Sequence, residues 1–343
     1  MKKVRVAING LGRIGRAFVK LASDRPEIEL VAVNDLADLD NLAYLLRYDS
    51  AYGKWPVEVK TSPGKLIVNN KVISFSQERD PARLPWRANS IDVVVEATGV
   101  YETYEKAKAH LAAGAHKVVI TAPAKDEPPV GVPGGTILMG INDDKLSSCQ
   151  ITSNASCTTN SASPLIQILH EKLGVEKAIL NTVHGYTASQ KLVDGPDGKD
   201  FRRGRAAATN IVPSSTGAAI AVTKVITDLA NKFDGLAIRV PVITGSLVDI
   251  TFISKRRTSV EEVNKILKDA AALPRWQGLF TVTEEPLVSS DIVGSHFAST
   301  AQLDLTRVVD GNLVKVLAWY DNEMGYTHTL VEHVIKLGLG GLQ

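Results

Sequence analysis

Gly10, Gly12 and Gly15 follow the β-branched run Val4-Arg5-Val6-Ala7-Ile8 at the spacing G-x-G-x-x-G. An amphipathic pattern over about 14–23 reads as a helix, and a second strand over 29–33 ends at Asn34-Asp35. Strand, glycine turn, helix and strand within about thirty residues make a βαβ unit, which commits the start of the chain to a parallel sheet. The first glycine makes the turn, the second lets a pyrophosphate approach the backbone, and the third permits close helix–strand packing. The pyrophosphate would rest on the helix N-terminus. Asp35, 20 positions after Gly15, is placed to accept from the ribose 2′-OH of NAD and to repel the 2′-phosphate of NADP. The alternative for Asp35 is a solvated carboxylate at a strand end.

The parallel pattern continues in strands at 92–96, 117–121, 136–139 and 151–152, with helices at 39–46 and 103–113. Residues 57–75 read as short antiparallel strands around an Asn69-Asn70 turn, interrupting the parallel sheet. Thr98-Gly99 and Thr121-Ala122 end strands with small residues, which suits a ligand crevice or ordinary turns.

A second organising stretch is Ser153-Asn154-Ala155-Ser156-Cys157-Thr158-Thr159-Asn160, small and polar around one thiol. A helical pattern over 163–174 stops at Gly174, so Cys157 falls at or just before a helix N-terminus. Unpaired N–H groups and the helix dipole there favour the thiolate. Downstream, the strand 177–183 runs into His184, which can serve as general base to a thiol. Residues 188–212 form a long basic loop with Lys191, Lys199, Arg202, Arg203 and Arg205. Pro213-Ser214-Ser215-Thr216-Gly217-Ala218-Ala219 reads as the opening of a helix running to about 230, and as an anion site. Arg239, between Ile238 and Val240 on a strand, either binds phosphate or makes a buried ion pair. A strand at 247–256, a helix at 259–272, a hairpin turning at 310–312 and a closing amphipathic helix complete an α+β half.

Length bounds the rest. The 343 residues suit two domains, and 44% hydrophobic residues can fill two cores. A net charge of +2 without a basic block implies neither nucleic acid nor membrane as partner. Cys149 and Cys157 make no disulfide framework, no apolar run reaches membrane length, and the apolar run after the basic start ends at Asn9-Gly10, too early for a signal peptide. A cytoplasmic chain is expected, with no metal site.

Taken together, the chain resembles phosphorylating glyceraldehyde-3-phosphate dehydrogenase over nearly its whole length. The resemblance is carried by Asn9-Gly10-Leu11-Gly12-Arg13-Ile14-Gly15-Arg16, the octet 153–160, His184-Gly185-Tyr186-Thr187, the run 213–219 and the run 319–326. It implies a Rossmann-type NAD-binding domain at 1–156, with a helix at 322–343 packing back on it. An α+β catalytic domain with a mixed or antiparallel sheet would occupy 157–321. The implied reaction oxidises and phosphorylates D-glyceraldehyde 3-phosphate to 1,3-bisphosphoglycerate, in glycolysis or gluconeogenesis, through a cysteine thiohemiacetal and thioester.

Residue by residue, Cys157 matches the nucleophile and His184 the base. Thr187 and Arg239 match ligands of the substrate's phosphate. Ser156, Thr158, Thr216 and Gly217 match the pocket for the attacking inorganic phosphate. Beside the three glycines, Arg13, Ile14, Asp35, Thr98 and Asn322 match cofactor contacts, Asn322 holding the nicotinamide amide. The loop 188–212 matches the interface loop of a homotetramer. Gly185, Ser161, Ile220, Val242, Met324 and the segment 296–304 depart from the common pattern and touch none of the matched Cys, His, Thr or Arg positions.

Two other readings stand beside this one. Erythrose-4-phosphate dehydrogenase is a relative that hydrolyses its acyl-enzyme without phosphate; Tyr186-Thr187 and 214–217 argue against it. A nucleotide- or RNA-binding protein on the same scaffold would need neither Cys157 nor His184.

Overall fold

The computed structural model describes residues 3–198 and 200–340. The expectations resting on Met1, Lys2, Lys199 and residues 341–343 lie outside the described residues. The chain forms two compact units, one of residues up to Ala155 together with those from Thr327 on, the other Ser156–Tyr326.

The first unit is built on a nine-stranded sheet. Its order is Gly134–Thr136, Ile151–Ser153, Lys117–Ile120, Val93–Glu96, Val4–Asn9, Ile28–Asn34, Lys71–Ser76, Lys65–Val68 and Val59–Ser62. Every pairing from Gly134–Thr136 to Lys71–Ser76 is parallel. Val93–Glu96 is buried at all four positions, as a parallel strand covered on both faces must be. The 57–75 segment does not interrupt this sheet, as its antiparallel pattern suggested, but extends its edge. Lys71–Ser76 joins Ile28–Asn34 in parallel, and the other two strands follow antiparallel. Asn69 and Asn70, both with positive φ, make the tight turn that sets this register.

The strand expected at 136–139 lies instead at Gly134–Thr136. A Cβ on Gly134 would stand 2.2 Å from the Ile151 carbonyl oxygen, so glycine is what lets the two strands approach. Beyond Thr136 the Asn142 amide turns the chain, accepting from the Leu138 N–H at 2.8 Å and donating to the Thr136 carbonyl at 3.0 Å. The last helix, Met324–Leu339, contributes its residues from Thr327 on to this unit. Within it, buried His333 lies between the Thr152 hydroxyl at 2.8 Å and the Asn154 amide oxygen at 3.0 Å.

The second unit carries an eight-stranded mixed sheet. Along its path run Val212–Ser215, Phe233–Val240, Val175–Gly185, Ser246–Ser254, Leu313–Tyr320, Ser299–Gln302 and Phe280–Thr283, with Arg307–Val309 beside Leu313–Tyr320. Ser246–Ser254 alternates buried and half-buried positions, the signature of a sheet with one face in the core. The 213–219 run is divided: its start belongs to the strand Val212–Ser215, and the helix opens only at Ala218, capped by Gly217. Pro213 and Ser215 sit opposite Ile238 and Leu236 in an antiparallel pair, and the helix is confined to Ala218–Val225. Its β-branched end, Val222-Thr223 and Val225-Ile226-Thr227, disfavours continuation to 230. The long loop carries one short turn of 3-10 helix, Phe201–Gly204. It is tied across itself by the Arg205–Asp194 ion pair and the Gly195-to-Gly204 backbone bond. Among the described residues no helix is long and apolar enough to cross a membrane.

Candidate active site

Cys157 is the first residue of the helix Cys157–Leu173, which stops at Gly174 with φ +68°. Ser156 caps that helix, its hydroxyl accepting from the Thr159 N–H at 3.1 Å. Just before it, the fully buried Ala155 takes a left-handed φ of +54°, its N–H held by the Ser153 hydroxyl at 3.0 Å. Such a conformation in alanine is strained, and it turns the chain sharply ahead of the thiol.

The sheet supplies the partners. His184 and Arg239 are opposite each other on adjacent parallel strands. His184 Nε2 lies 3.4 Å from Cys157 Sγ. Its Nδ1 faces the Gly185 carbonyl oxygen at 2.6 Å and Arg239 Nη1 at 2.5 Å, and Arg239 also donates to that carbonyl at 3.1 Å. Tyr320 closes the group from the strand Leu313–Tyr320. Its hydroxyl bridges Thr158 at 2.9 Å and Thr182 at 2.8 Å, and its ring meets the His184 ring edge-on, 5.9 Å between centroids.

These contacts fix the protonation states. Burial, then the Arg239 cation, holds His184 down to about 3, so the imidazole is neutral. The helix position was expected to favour the thiolate at Cys157. Instead burial pushes the thiol above its ordinary range, against the pull of Arg239 and the Thr158 N–H. Cys157 keeps some accessible surface, but protein atoms crowd the sulfur, and crowding wins over the helix terminus. Cys149 is buried, and burial pushes its thiol up as well.

Of the remaining expected residues, Thr158 lies beside Cys157 with its hydroxyl engaged by Tyr320. Thr187 bonds Ser189 at 3.0 Å, while the Thr216 hydroxyl accepts from the Ala218 N–H at 3.2 Å. Gly217 is the N-terminal cap of the helix Ala218–Val225, and a Cβ there would meet nothing within 4 Å. None of these three is in hydrogen-bond contact with the thiol. Arg203, absent from the expected set, donates to Ser214 at 3.0 Å and repels Arg239. Among the described residues neither Arg203 nor Arg239 pairs with a carboxylate, which leaves a cationic spot suited to an anion. Asn322 is buried, its amide oxygen accepting from Ser246 at 2.9 Å and Thr244 at 3.2 Å.

The first unit holds a cavity of about 340 Å³, lined among others by Gly10, Gly12, Asp35, Arg79 and Thr98. Its cradle requires glycine. A Cβ on Gly10, φ +100°, would lie 2.8 Å from the Ala97 carbonyl, and one on Gly15 2.0 Å from the Gly10 oxygen. Gly12 faces open space at the start of the helix Arg13–Ala22, where a pyrophosphate fits. Asp35 accepts from the Leu11 and Ala37 N–H groups at 2.7 and 2.9 Å, which leaves carboxylate lone pairs for a ribose hydroxyl. Ile14 is the second residue of that helix, and Arg13 turns to Asp49 at 2.7 Å. Thr98 is placed by Glu96, a buried acid not foreseen from the sequence. Glu96 also accepts from Asn9 at 2.7 Å and meets His110 at 2.9 Å. An acid closing the run Val93-Val94-Val95 was the available signal for it, as Trp319-Tyr320 in a recognised run was for Tyr320.

Two family profiles cover most of the chain. "Glyceraldehyde 3-phosphate dehydrogenase, NAD binding domain" matches residues 4–104, and "Glyceraldehyde 3-phosphate dehydrogenase, C-terminal domain" matches 156–322. Relatives named glyceraldehyde-3-phosphate dehydrogenase include one from Geobacillus stearothermophilus, 46% identical over 99% of each chain. Another from Thermotoga maritima is 48% identical over 96% of this chain and 97% of its own. Glyceraldehyde-3-phosphate dehydrogenase 3 of Saccharomyces cerevisiae is 44% identical over 97% of this chain and 99% of its own.

Proposed function

This chain belongs to the glyceraldehyde 3-phosphate dehydrogenase family, and on that premise we propose residue roles and the use of inorganic phosphate. The enzyme is an NAD-dependent oxidoreductase acting on glyceraldehyde 3-phosphate. When bound, NAD supplies the hydride acceptor; Gly10, Gly12, Gly15, Arg13, Ile14, Asp35 and Thr98 would hold it, with Asn322 taking the carboxamide. Cys157 Sγ adds to the aldehyde carbon, giving a thiohemiacetal. His184 takes the hydroxyl proton as the C–H leaves as hydride, and a thioester remains on Cys157. Arg239 and Thr187 grip the substrate's phosphate. Ser156, Thr158, Thr216 and Gly217 receive the inorganic phosphate that cleaves the thioester to 1,3-bisphosphoglycerate.

The observation that carries this reading is Cys157 Sγ 3.4 Å from the nitrogen of a neutral His184. A thiol facing a neutral imidazole, with a cation beside them, is equipment for acyl chemistry and not for binding alone. NADH absorbance on adding the aldehyde, with and without phosphate, is the test. Turnover that needs phosphate supports the phosphorylating reading; phosphate-independent turnover points to the erythrose-4-phosphate type.

A homotetramer is part of the same proposal. Leu192, Val193, Phe201 and Ile211 in the long loop are 78, 73, 88 and 69% exposed, apolar surface that a second subunit would cover. A cytoplasmic location, with no nucleic acid required, completes it.

A further inference from the structure

Glu96 ends the strand Val93–Glu96, is buried, and stands directly before Ala97 and Thr98, which line the glycine cavity. A carboxyl group in such a place depends on donors, because an oxygen without one has lost its water and gained nothing. Four donors meet this one. Oε1 accepts from the Thr98 N–H at 2.9 Å and from the Thr98 hydroxyl. Oε2 accepts from the Asn9 amide at 2.7 Å and faces His110 Nε2 at 2.9 Å. Asn9 and Thr98 belong to the cavity wall, whereas His110 sits on the helix Tyr104–Ala112.

Trp86 decides which nitrogen of His110 carries the hydrogen. An indole N–H can only donate, and this one reaches His110 Nδ1 at 3.0 Å. Nδ1 therefore keeps its lone pair, and the ring hydrogen sits on Nε2, aimed at Glu96. Trp86 and His110 are both fully buried, so water replaces neither. The His110 ring also meets the ring of Tyr101, a cavity residue, edge-on with 6.3 Å between centroids.

The cavity floor has no slack to absorb a shift at Thr98. Gly10 stands so close that a Cβ there would lie 2.8 Å from the Ala97 carbonyl carbon and from the Thr98 nitrogen. Asn9 is held on its other side by the Asn34 amide at 2.8 Å, and the Gly10 N–H donates to the Asn34 carbonyl at 2.8 Å. The ends of three adjacent strands, Ile28–Asn34, Val4–Asn9 and Val93–Glu96, are thus stitched together around one carboxyl group.

We infer that His110 is a positioning residue for the dinucleotide: backed by Trp86, its Nε2–H holds Glu96, and Glu96 holds Asn9 and Thr98 in the geometry that receives the cofactor. This rests on the reading of the glycine cavity as the cofactor site. Without the His110 donor, Oε2 of Glu96 is short of a partner in a place that water does not reach. The carboxyl group then turns towards its remaining donors and draws the Thr98 and Asn9 ends of two strands with it. The effect falls on NAD affinity and not on the oxidation step, whose thiol and imidazole are carried by other elements.

The test measures NAD binding to the full-length protein by titration calorimetry without aldehyde, beside KM for NAD and kcat. Two replacements separate the ring nitrogens. Glutamine places its amide near the position of Nε2 and can donate to Glu96. Asparagine places its amide near Nδ1, where it can accept from Trp86 but falls short of Glu96. His110→Asn should weaken NAD binding about tenfold, with KM for NAD raised in step and kcat changed less than about twofold. His110→Gln should bring binding back to within about threefold of wild type. A role in stability alone would lower Tm in both variants and leave NAD affinity of the folded protein where it was. Wild-type affinity in folded His110→Asn overturns the proposal, and so does equal weakening by asparagine and glutamine. Should His110→Asn fail to fold, Glu96→Gln, which sets an NH2 against donors, should show the same tenfold loss, and wild-type affinity there overturns the proposal equally. Gly10→Ala tests the premise by itself, since its Cβ would crowd the Thr98 nitrogen. Undiminished NAD binding in that variant would take the cofactor out of this cavity, whatever the His110 variants do.

Discussion

His184 and Arg239 are register partners on adjacent parallel strands, so both side chains leave the same face of the sheet and meet at Nδ1 and Nη1, 2.5 Å apart. The cation is therefore fixed to the base by strand pairing and not by a mobile loop. The opposite face of the imidazole system belongs to Cys157, 3.4 Å from Nε2, carried by the helix terminus. One histidine thus touches an arginine and a thiol at once.

Loss of the guanidinium should be felt first in affinity for the phosphorylated substrate. A charge-assisted hydrogen bond contributes about 1.5–3 kcal/mol, so Arg239→Leu should raise KM for glyceraldehyde 3-phosphate roughly 10- to 150-fold. Steady-state kinetics with both aldehydes check this. An unchanged KM for the phosphorylated one would remove Arg239 from the substrate site.

Tyr320→Phe should cost stability more than chemistry. The hydroxyl serves Thr158 and Thr182, both buried, and its loss removes a partner from each, at about 1–3 kcal/mol for a buried hydroxyl left unsatisfied. The ring that packs on His184 is retained. A lowered Tm with kcat far closer to wild type than in Tyr320→Ala is expected. Equal loss of kcat in the two variants would show that the hydroxyl itself takes part in the reaction.

Stability should fall on the acid side in a way two histidines explain. Burial, with the Arg239 cation adding to it at His184, holds both His184 and His333 down to about 3. Unfolded imidazoles take a proton near pH 6.5, so between about 6.5 and 3 the unfolded state binds more protons. Their contribution is full above pH 6.5 and is lost as pH falls, by up to about 1.4 kcal/mol per pH unit for each residue. Urea midpoints at pH 7, 6 and 5 should decline, and His333→Gln should flatten that decline. An unaltered slope in the variant would mean His333 titrates normally.

Cofactor choice should turn on Asp35. Its carboxylate lines the glycine cavity and would meet a 2′-phosphate as a like charge. The wild type should favour NAD in kcat/KM, and Asp35→Asn should narrow the preference by improving NADP. Equal use of both cofactors by the wild type contradicts this.

The sequence made the local chemistry plain and the non-local geometry opaque. The glycine spacing, the cysteine before a helix and the histidine ending a strand each rest on a few consecutive residues, and the fold carries all three. The start of the 213–219 run misled because cap residues and strand residues look alike until a partner strand is known; Phe233–Val240 claims 212–215, while the helix does open at Ala218. The same holds for 57–75, whose hairpin chemistry was legible but whose parallel edge against Ile28–Asn34 was not. The proximity of His184 to Arg239, 55 residues apart in sequence, depends on strand register. So does the state of Cys157. The helix terminus was readable, whereas the crowding that outweighs it is a property of the packed site.

The central claim is that Cys157 is the nucleophile, and the chain carries its own control in Cys149. A limiting amount of iodoacetamide followed by peptide mapping compares the two thiols in one sample. Cys157 keeps accessible surface, a helix-terminal N–H and the Arg239 cation; Cys149 is buried against the Lys145 carbonyl at 3.4 Å. Cys157 should be labelled first, with activity lost in step, and NAD added beforehand should still bind the labelled protein. Cys157→Ser should bind NAD yet oxidise no aldehyde. Preferential labelling of Cys149, or an active serine variant, would contradict the account at its base.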